Sequence, residues 1–221
     1  KGLNYGGSLL RKEATGYGCV YFCEHVVNHM GKKMSELSAT VSGSGNVAIY
    51  TAEKAMEKGV TVLTMSDSKG FIHAENGLNE QQLDFIQELK EISRGDLSEV
   101  ARKFKEISYH EGKRPWGVPC DIAFPCATQN EISKSDAETL VANGVHIICE
   151  GANMPVSADG TKFFKEEKIL HAPGKASNAG GVAVSGLEQA QNAMHFFWSK
   201  DKVDQELQTI MKRQTEPILP Q

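Results

Sequence analysis

The sequence predicts an α/β protein, a doubly wound and mostly parallel sheet with helices on both faces. Three observations predict it. The stretch Thr40-Val41-Ser42-Gly43-Ser44-Gly45-Asn46-Val47-Ala48 passes from a β-prone run through glycines into a helix-forming run, which is the strand, turn and helix that open such sheets. A second β-prone run, Val60 to Met65, follows and closes in Ser66-Asp67-Ser68. Three later apolar runs each empty into a polar loop, as strands do on the ligand edge of an open α/β sheet.

Composition narrows the function classes. The 221 residues suffice for one large domain with helical edges, and 40% hydrophobic with 24% charged residues is ordinary for a globular chain. A formal net charge of −4 without a dense Lys/Arg block argues against nucleic acid as a partner. No apolar run reaches the length of a bilayer span, which argues against a membrane. The cysteines Cys19, Cys23, Cys120, Cys126 and Cys149 have neither paired CxxC spacing nor a zinc-type histidine pattern, so reduced thiols and no metal are expected. The chain opens at Lys1 with no initiator methionine and no targeting pattern, as an excerpt of something longer would.

In chain order, Gly2 to Ser8 form a glycine-rich loop, and Glu13 to about Met30 reads as a proline-free helix ended by Gly31. His25 and His29 stand four apart on it, but Glu24 precedes the first histidine instead of following it. That order does not fit the two-histidine zinc helix. At the turn, Gly43 permits the tight bend, Gly45 leaves the backbone open to a pyrophosphate, and Ala48 allows close packing of helix on sheet. The first amides of the helix, at Asn46 and Val47, then face an anion. A turn of this kind can also be free of ligand; the acid Asp67, about 20 residues on where ribose hydroxyls are read, favours a dinucleotide.

The helix after the turn reads as amphipathic, with Ala48, Ala52, Ala55 and Met56 inward, Glu53, Lys54, Glu57 and Lys58 outward, and Gly59 at its end. Phe71 to His73 form a short strand, and Asn79 with Gln82 caps a helix that points Leu83, Ile86 and Leu89 inward. Lys90, Arg94, Arg102, Lys103 and Lys105 gather positive charge. Such a run is ordinarily a solvated helix face, although its closeness to the second strand leaves room for a phosphate role. Asp121 to Pro125 is a buried strand that runs into Cys126 to Glu131. A helix from Ser135 to Asn143, then Gly144, lead to a strand over Val145 to Ile148, which empties into Glu150 to Pro155. Ile169-Leu170 leads in the same way to a loop that includes Asn178 to Val182, and helices over Glu188 to Phe197 and Lys202 to Arg213 close the chain.

Five motifs in order, Arg11 to Gly18, Gly43 to Ala48, Pro125 to Glu131, Glu150 to Pro155, and Ala172 to Val182 with Ser185 to Glu188, closely resemble the coenzyme-binding part of hexameric, NADP-using glutamate dehydrogenases. The resemblance covers nearly all of the chain and departs at Lys200 to Gln221. It implies a Rossmann-like domain over residues 39–199, a linker helix within 1–38 and a truncated helical segment over 200–221. By resemblance, Thr15, Gly43, Gly45, Asn46, Val47, Asp67, Ser68, Lys90, Arg94, Thr128, Gln129, Asn153 and Asn178 would bind the cofactor, with the two asparagines at the nicotinamide end, and Ser185 would reach the far carboxylate of glutamate. The catalytic acid/base groups would lie in a substrate domain outside this chain. The implied activity is reversible oxidative deamination of L-glutamate to 2-oxoglutarate and ammonia, in a cytoplasmic homo-hexamer. A leucine- or phenylalanine-type dehydrogenase and a non-catalytic dinucleotide sensor are the alternatives. On cofactor choice two features disagree: Asp67 favours NAD, whereas Ser68, Lys69, Lys90 and Arg94 favour NADP. Two or more cations outweigh one partly solvated carboxylate, so NADP is expected over NAD.

Overall fold

The computed structural model describes residues 6–217. Seven strands form one sheet: β1 (Ser38–Val41), β2 (Thr61–Ser66), β3 (Gly70–Ala74), β4 (Ile107–Glu111), β5 (Ile122–Phe124), β6 (Ile147–Cys149) and β7 (Leu170–Ala172). Their spatial order is β4-β3-β2-β1-β5-β6-β7. The five strands from β2 to β7 through β1 pair in parallel, whereas β3 and β4 run antiparallel at one end. The order reverses at β1, whose neighbours β2 and β5 lead away in opposite directions. A crevice beyond the strand ends opens at such a switch point.

Side chains alternate between the two faces of a strand, and each face here has its own core. Ile122, Phe124, Ile147 and Cys149 join one buried cluster, and Ala123 and Ile148 join the other. The larger cluster is covered by α1 (Ala14–His29), α2 (Asn46–Glu57), α3 (Glu80–Glu88), α4 (Ser98–Lys103), α8 (Gly180–Met194) and α9 (Lys200–Thr215). The smaller is covered by α5 (Lys134–Ala142) and α6 (Ala158–Glu166). Leu10, Ala14 and Val20 near the start share the larger core with Val203, Leu207 and Met211 near the end. The segments expected as 1–38 and 200–221 therefore contribute to the same core as 39–199.

Most expected elements form within a few residues of their predicted bounds, and the Asn79–Gln82 capping box is present with both of its hydrogen bonds. Four expectations are corrected. The strand β4 and helix α6 are additional elements. The loop expected to include Asn178 to Val182 is instead a helical turn, α7 (Gly174–Ser177), a two-residue turn at Asn178-Ala179, and the start of α8 at Gly180. Gly180 and Gly181 enter a helix despite their low propensity because α1 crosses there. A Cβ on Gly180 would collide with the Ala14 carbonyl, and one on Gly181 would stand 2.5 Å from Thr15 Oγ1. Lys54, expected outward, is only 5% exposed. Its ammonium pairs with Glu57 and lies 4.1 Å from the Tyr17 ring centroid, a cation–π contact that lets a charge sit between helices. Of the expected terminal loop and tail, residues 2–5 and 218–221 lie outside the described residues. All five cysteines are buried and form no disulfide. No helix among the described residues is long and apolar enough to cross a membrane.

Candidate functional site

The crevice at the switch point is a groove in two adjoining cavities. One, of about 680 Å³, is lined by Gly43, Gly45, Asn46, Val47, Asp67, Ser68, Thr128 and Glu131, among others. The other, of about 890 Å³, is lined by Thr15, Asn46, Val47, Thr128, Gln129, Asn153, Asn178 and Ser185, among others. Twelve residues expected at a cofactor from sequence therefore line the groove or join its two halves, if Ser185 is counted with them. Lys90 and Arg94 line neither cavity.

Between the two cavities stands the turn after β1. Gly43 has φ +89°, and a Cβ there would lie 3.0 Å from the Cys126 carbonyl, so the turn presses on the end of β5. Its amide donates to Ser66 Oγ at 2.8 Å, which staples it to the end of β2. Gly45 is different. It has an ordinary extended backbone, and a Cβ there would meet nothing within 4 Å. It faces open groove. No side chain caps the 12-residue α2, so its first amides, which have no intrahelical acceptor, are left for an anion. These features fit a pyrophosphate.

On the β2 side, Asp67 accepts from the Lys69 amide (2.9 Å) and Gly70 amide (3.3 Å) on one oxygen. The other oxygen accepts from Lys90 Nζ (2.8 Å) and the Leu97 amide (3.0 Å). Burial pulls its carboxyl up, but the hydrogen bonds from Lys90 and from the Leu97 and Lys69 amides, with the Lys90 charge, outweigh it and hold Asp67 below the usual range. Its four acceptor positions are filled from within the protein, which corrects the simple picture of a free acid that reads ribose. Lys90 also donates to the Gly95 carbonyl at 2.8 Å, so its charge meets the groove only as part of a pair with Asp67. Arg94, at φ 50°, is exposed at the end of the turn after α3. The cations on the cavity wall are instead Lys69, Lys113 and Arg114. Sequence reasoning missed Lys113 and Arg114 because they follow β4, which its polar residues concealed.

On the β5 side, Glu131 Oε1 accepts from the amides of Ala127 (3.0 Å) and Thr128 (3.3 Å). Burial raises its carboxyl above the usual range, against hydrogen bonds from Ser42, Ala127 and Thr128 and the charge of Arg114. At the far end of the groove no acid lines the cavity among the described residues. There Asn178 Nδ2 donates to Asn153 Oδ1 at 2.8 Å and to the Ala152 carbonyl at 3.3 Å. The side-chain oxygen of Asn178 and the amide nitrogen of Asn153 keep their capacity to accept and donate. Thr15 enters from α1 and Ser185 from α8, whose close approach the glycines described above permit. Arg11, which also lines this cavity, is held by Glu188 at 2.9 Å and the Gly181 carbonyl at 3.0 Å.

Comparison with known proteins gives a consistent set. A sequence model described as Glutamate/Leucine/Phenylalanine/Valine dehydrogenase matches residues 6–220. The chain is 51% identical over 211 residues to the NAD(P)-specific glutamate dehydrogenase of Xylanibacter ruminicola, over 96% of this chain and 47% of that protein. It is 50% identical to the NADP-specific glutamate dehydrogenase of Escherichia coli, again over 96% and 47%. A solved glutamate dehydrogenase from Plasmodium falciparum superposes with a TM-score of 0.95 at 44% identity, over 97% of this chain and 46% of that one. The chain spans about half the length of the curated relatives it matches.

Proposed function

The chain belongs to the glutamate/leucine/phenylalanine/valine dehydrogenase family, and from that premise we propose that it is the dinucleotide-binding part of an NADP-dependent glutamate dehydrogenase. The observation that carries this is the groove itself: an uncapped helix start and an unobstructed glycine on one side, and a paired-asparagine end on the other. The first takes a pyrophosphate and the second a neutral carboxamide ring, which amides can hold without adding charge. When bound, the nicotinamide supplies the site that exchanges a hydride with the substrate's α-carbon. The residues of this chain bind, orient and exclude water. Thr15 and the Thr128-Gln129 loop line the ring end, and Ser185 is assigned to the far carboxylate of glutamate. NADP over NAD is supported by Lys69 and Lys113 on the wall of the Asp67 cavity, where a further phosphate would find cations.

In this reading residues 39–199 form the dinucleotide domain, 1–38 lead into it, and 200–221 lead away. The acid/base groups belong to a substrate domain outside the chain, and the whole protein works in the cytoplasm as a homo-hexamer on L-glutamate, 2-oxoglutarate and ammonia. Equilibrium titration with NADP and NAD, beside a steady-state assay with glutamate, tests this. Saturable binding of both, NADP more tightly, is expected with no turnover. Glutamate-dependent reduction at about 1 per second or more would show the catalytic assignment wrong, and no binding would remove the reading altogether.

A further inference from the structure

The loop after β6 and the turn after β7 meet at one buried carboxylate that lies outside the lining of both groove cavities. Glu150 is 5% exposed. Its Oε1 accepts from His171 Nε2 at 2.7 Å, and its Oε2 accepts from the Gly174 amide at 2.6 Å. Its backbone joins the same junction: the Glu150 amide donates to the Ala172 carbonyl at 3.2 Å, and the Glu150 carbonyl accepts from Ser177 Oγ at 2.6 Å. Gly174 is the first residue of α7, and the amide of Asn178, at the other end of that single turn, donates to the Gly174 carbonyl at 3.0 Å. Fixing Gly174 therefore fixes Asn178. The fit is close, since a Cβ on Gly174 would stand 2.8 Å from the Ala152 carbonyl and 3.3 Å from Asn178 Nδ2. From Asn178 the hydrogen bond to Asn153 reaches back to the loop that Glu150 itself begins.

We propose that Glu150, oriented by His171, is a positioning residue that sets the Asn153–Asn178 pair at the ring end of the groove. The proposal rests on the dinucleotide reading above. An anionic acceptor suits this place because one carboxylate takes a bond from a backbone amide and another from an imidazole, while a neutral side chain of the same length keeps only part of that capacity. Deleting it leaves the Gly174 amide buried without a partner and removes the side-chain anchor at the start of α7, while the Ser177 bond to the Glu150 carbonyl stays.

The test separates the two ends of the groove. Binding of NADP and of adenosine 2′,5′-bisphosphate, which lacks the nicotinamide, is measured for the unmodified chain and for Glu150→Ala, Glu150→Gln and His171→Gln. Glu150→Ala is expected to weaken NADP by about tenfold, the equivalent of one buried donor left unpaired, with the bisphosphate unchanged. Glu150→Gln, which still accepts from Gly174, recovers part of the loss, and His171→Gln shows the smallest selective loss. A fold-wide defect would weaken both probes equally, and that result overturns the proposal, as does unchanged NADP binding in all three variants. An unmodified chain that binds neither probe overturns the dinucleotide reading itself, and is seen before any variant is compared.

Discussion

Asp67 and Glu131 line one cavity, and each carboxylate accepts two backbone amides from its own strand-end loop, to which Asp67 adds the Leu97 amide at the start of α4. Their chemistry nonetheless goes in opposite directions, with Asp67 held more acidic than usual and Glu131 less. Two things differ, burial and the cation: Glu131 is the more deeply buried residue, and the two cations stand differently. Lys90 touches the Asp67 carboxylate, whereas Arg114, beside Glu131, gives its guanidinium to the Glu131 backbone carbonyl and stands 3.5 Å from Asp136. For Glu131 the Ser42 hydroxyl, two amides and a guanidinium that does not touch the carboxylate fail to outweigh deeper burial; for the less buried Asp67, amides with an ammonium in contact do so. Loop anchoring and charge are thus separable properties of the same kind of side chain.

The largest expected effect breaks the Asp67 side. With side-chain exposures of 17% for Lys90 and 10% for Asp67, Lys90→Met leaves a mostly buried carboxylate without its cation. The expected loss is at or somewhat below the ~3–5 kcal/mol of a broken buried pair, measured by urea unfolding. A loss within about 0.5 kcal/mol, as for an ordinary surface site, would show that the amides alone suffice and that the contrast with Glu131 has another cause.

Next in size is the turn that both walls flank. Gly45→Val places a branched side chain on an extended backbone whose Cβ would meet nothing within 4 Å, so the fold and its circular dichroism should be kept. Dinucleotide affinity should fall by about a hundredfold, roughly the 2.7 kcal/mol of a lost set of phosphate contacts. Unchanged affinity by titration calorimetry would give the turn a purely structural role. Gly43 offers the contrast, because alanine there would strain the left-handed backbone and press on Cys126, damaging fold and binding together.

These two walls were unequally legible in the sequence. Thr40 to Ala48 could be read because glycine spacing and a change of hydrophobic period carry backbone geometry directly. Asp67 could be placed by its distance from the turn, but its pairing with Lys90 could not, since nothing local links residues 23 positions apart across an intervening helix. Glu131 was visible only as the end of a motif; its two amide bonds come from a loop conformation that composition does not specify. Ser108, His110 and Glu111 disguise β4 as a polar segment, because an edge strand need not alternate cleanly, and so Lys113 and Arg114 after it were lost as well. Lys54 and the Gly180-Gly181 helix start failed for another reason: local propensity was overridden by α1 crossing both places.

A smaller effect sharpens the comparison through pH. The folded state lowers the Asp67 pKa, so that residue contributes stability that is complete above its unfolded value and lost as pH falls through the folded one. For Glu131 the folded value is raised, so its contribution is present below its unfolded value and is lost as pH rises through the folded one. Asp67→Asn should therefore be less stable than the unmodified chain at neutral pH, with the deficit shrinking in acid. Glu131→Gln, which keeps an acceptor for Ala127, should match or exceed the unmodified chain at neutral pH by no more than about 1 kcal/mol, the worth of one hydrogen bond, and lose that advantage in acid. Urea midpoints across the acid range decide this, and parallel curves for the two variants would mean that the walls are electrostatically alike.

The smallest effect concerns the cations on the wall. Lys69 is already paired with Asp96, and both are largely exposed, at 63% and 42% of their side chains; Lys113 is exposed and lines the same cavity. Lys113→Ala should weaken NADP by only a few-fold, since an exposed charge pair contributes at most about 1 kcal/mol, and should leave NAD, which lacks the further phosphate, unchanged. Raising salt should shrink the difference between the two cofactors, because a contact of this kind is screened within about one Debye length, ~10 Å at 0.1 M. The buried Asp67–Lys90 pair should feel salt far less. If the NADP advantage survives both Lys113→Ala and high salt, discrimination comes from that buried pair and the ordered Ser68 loop above it. If it disappears with either, it belongs to the exposed rim, and Asp67 serves the groove as an anchor of the loop.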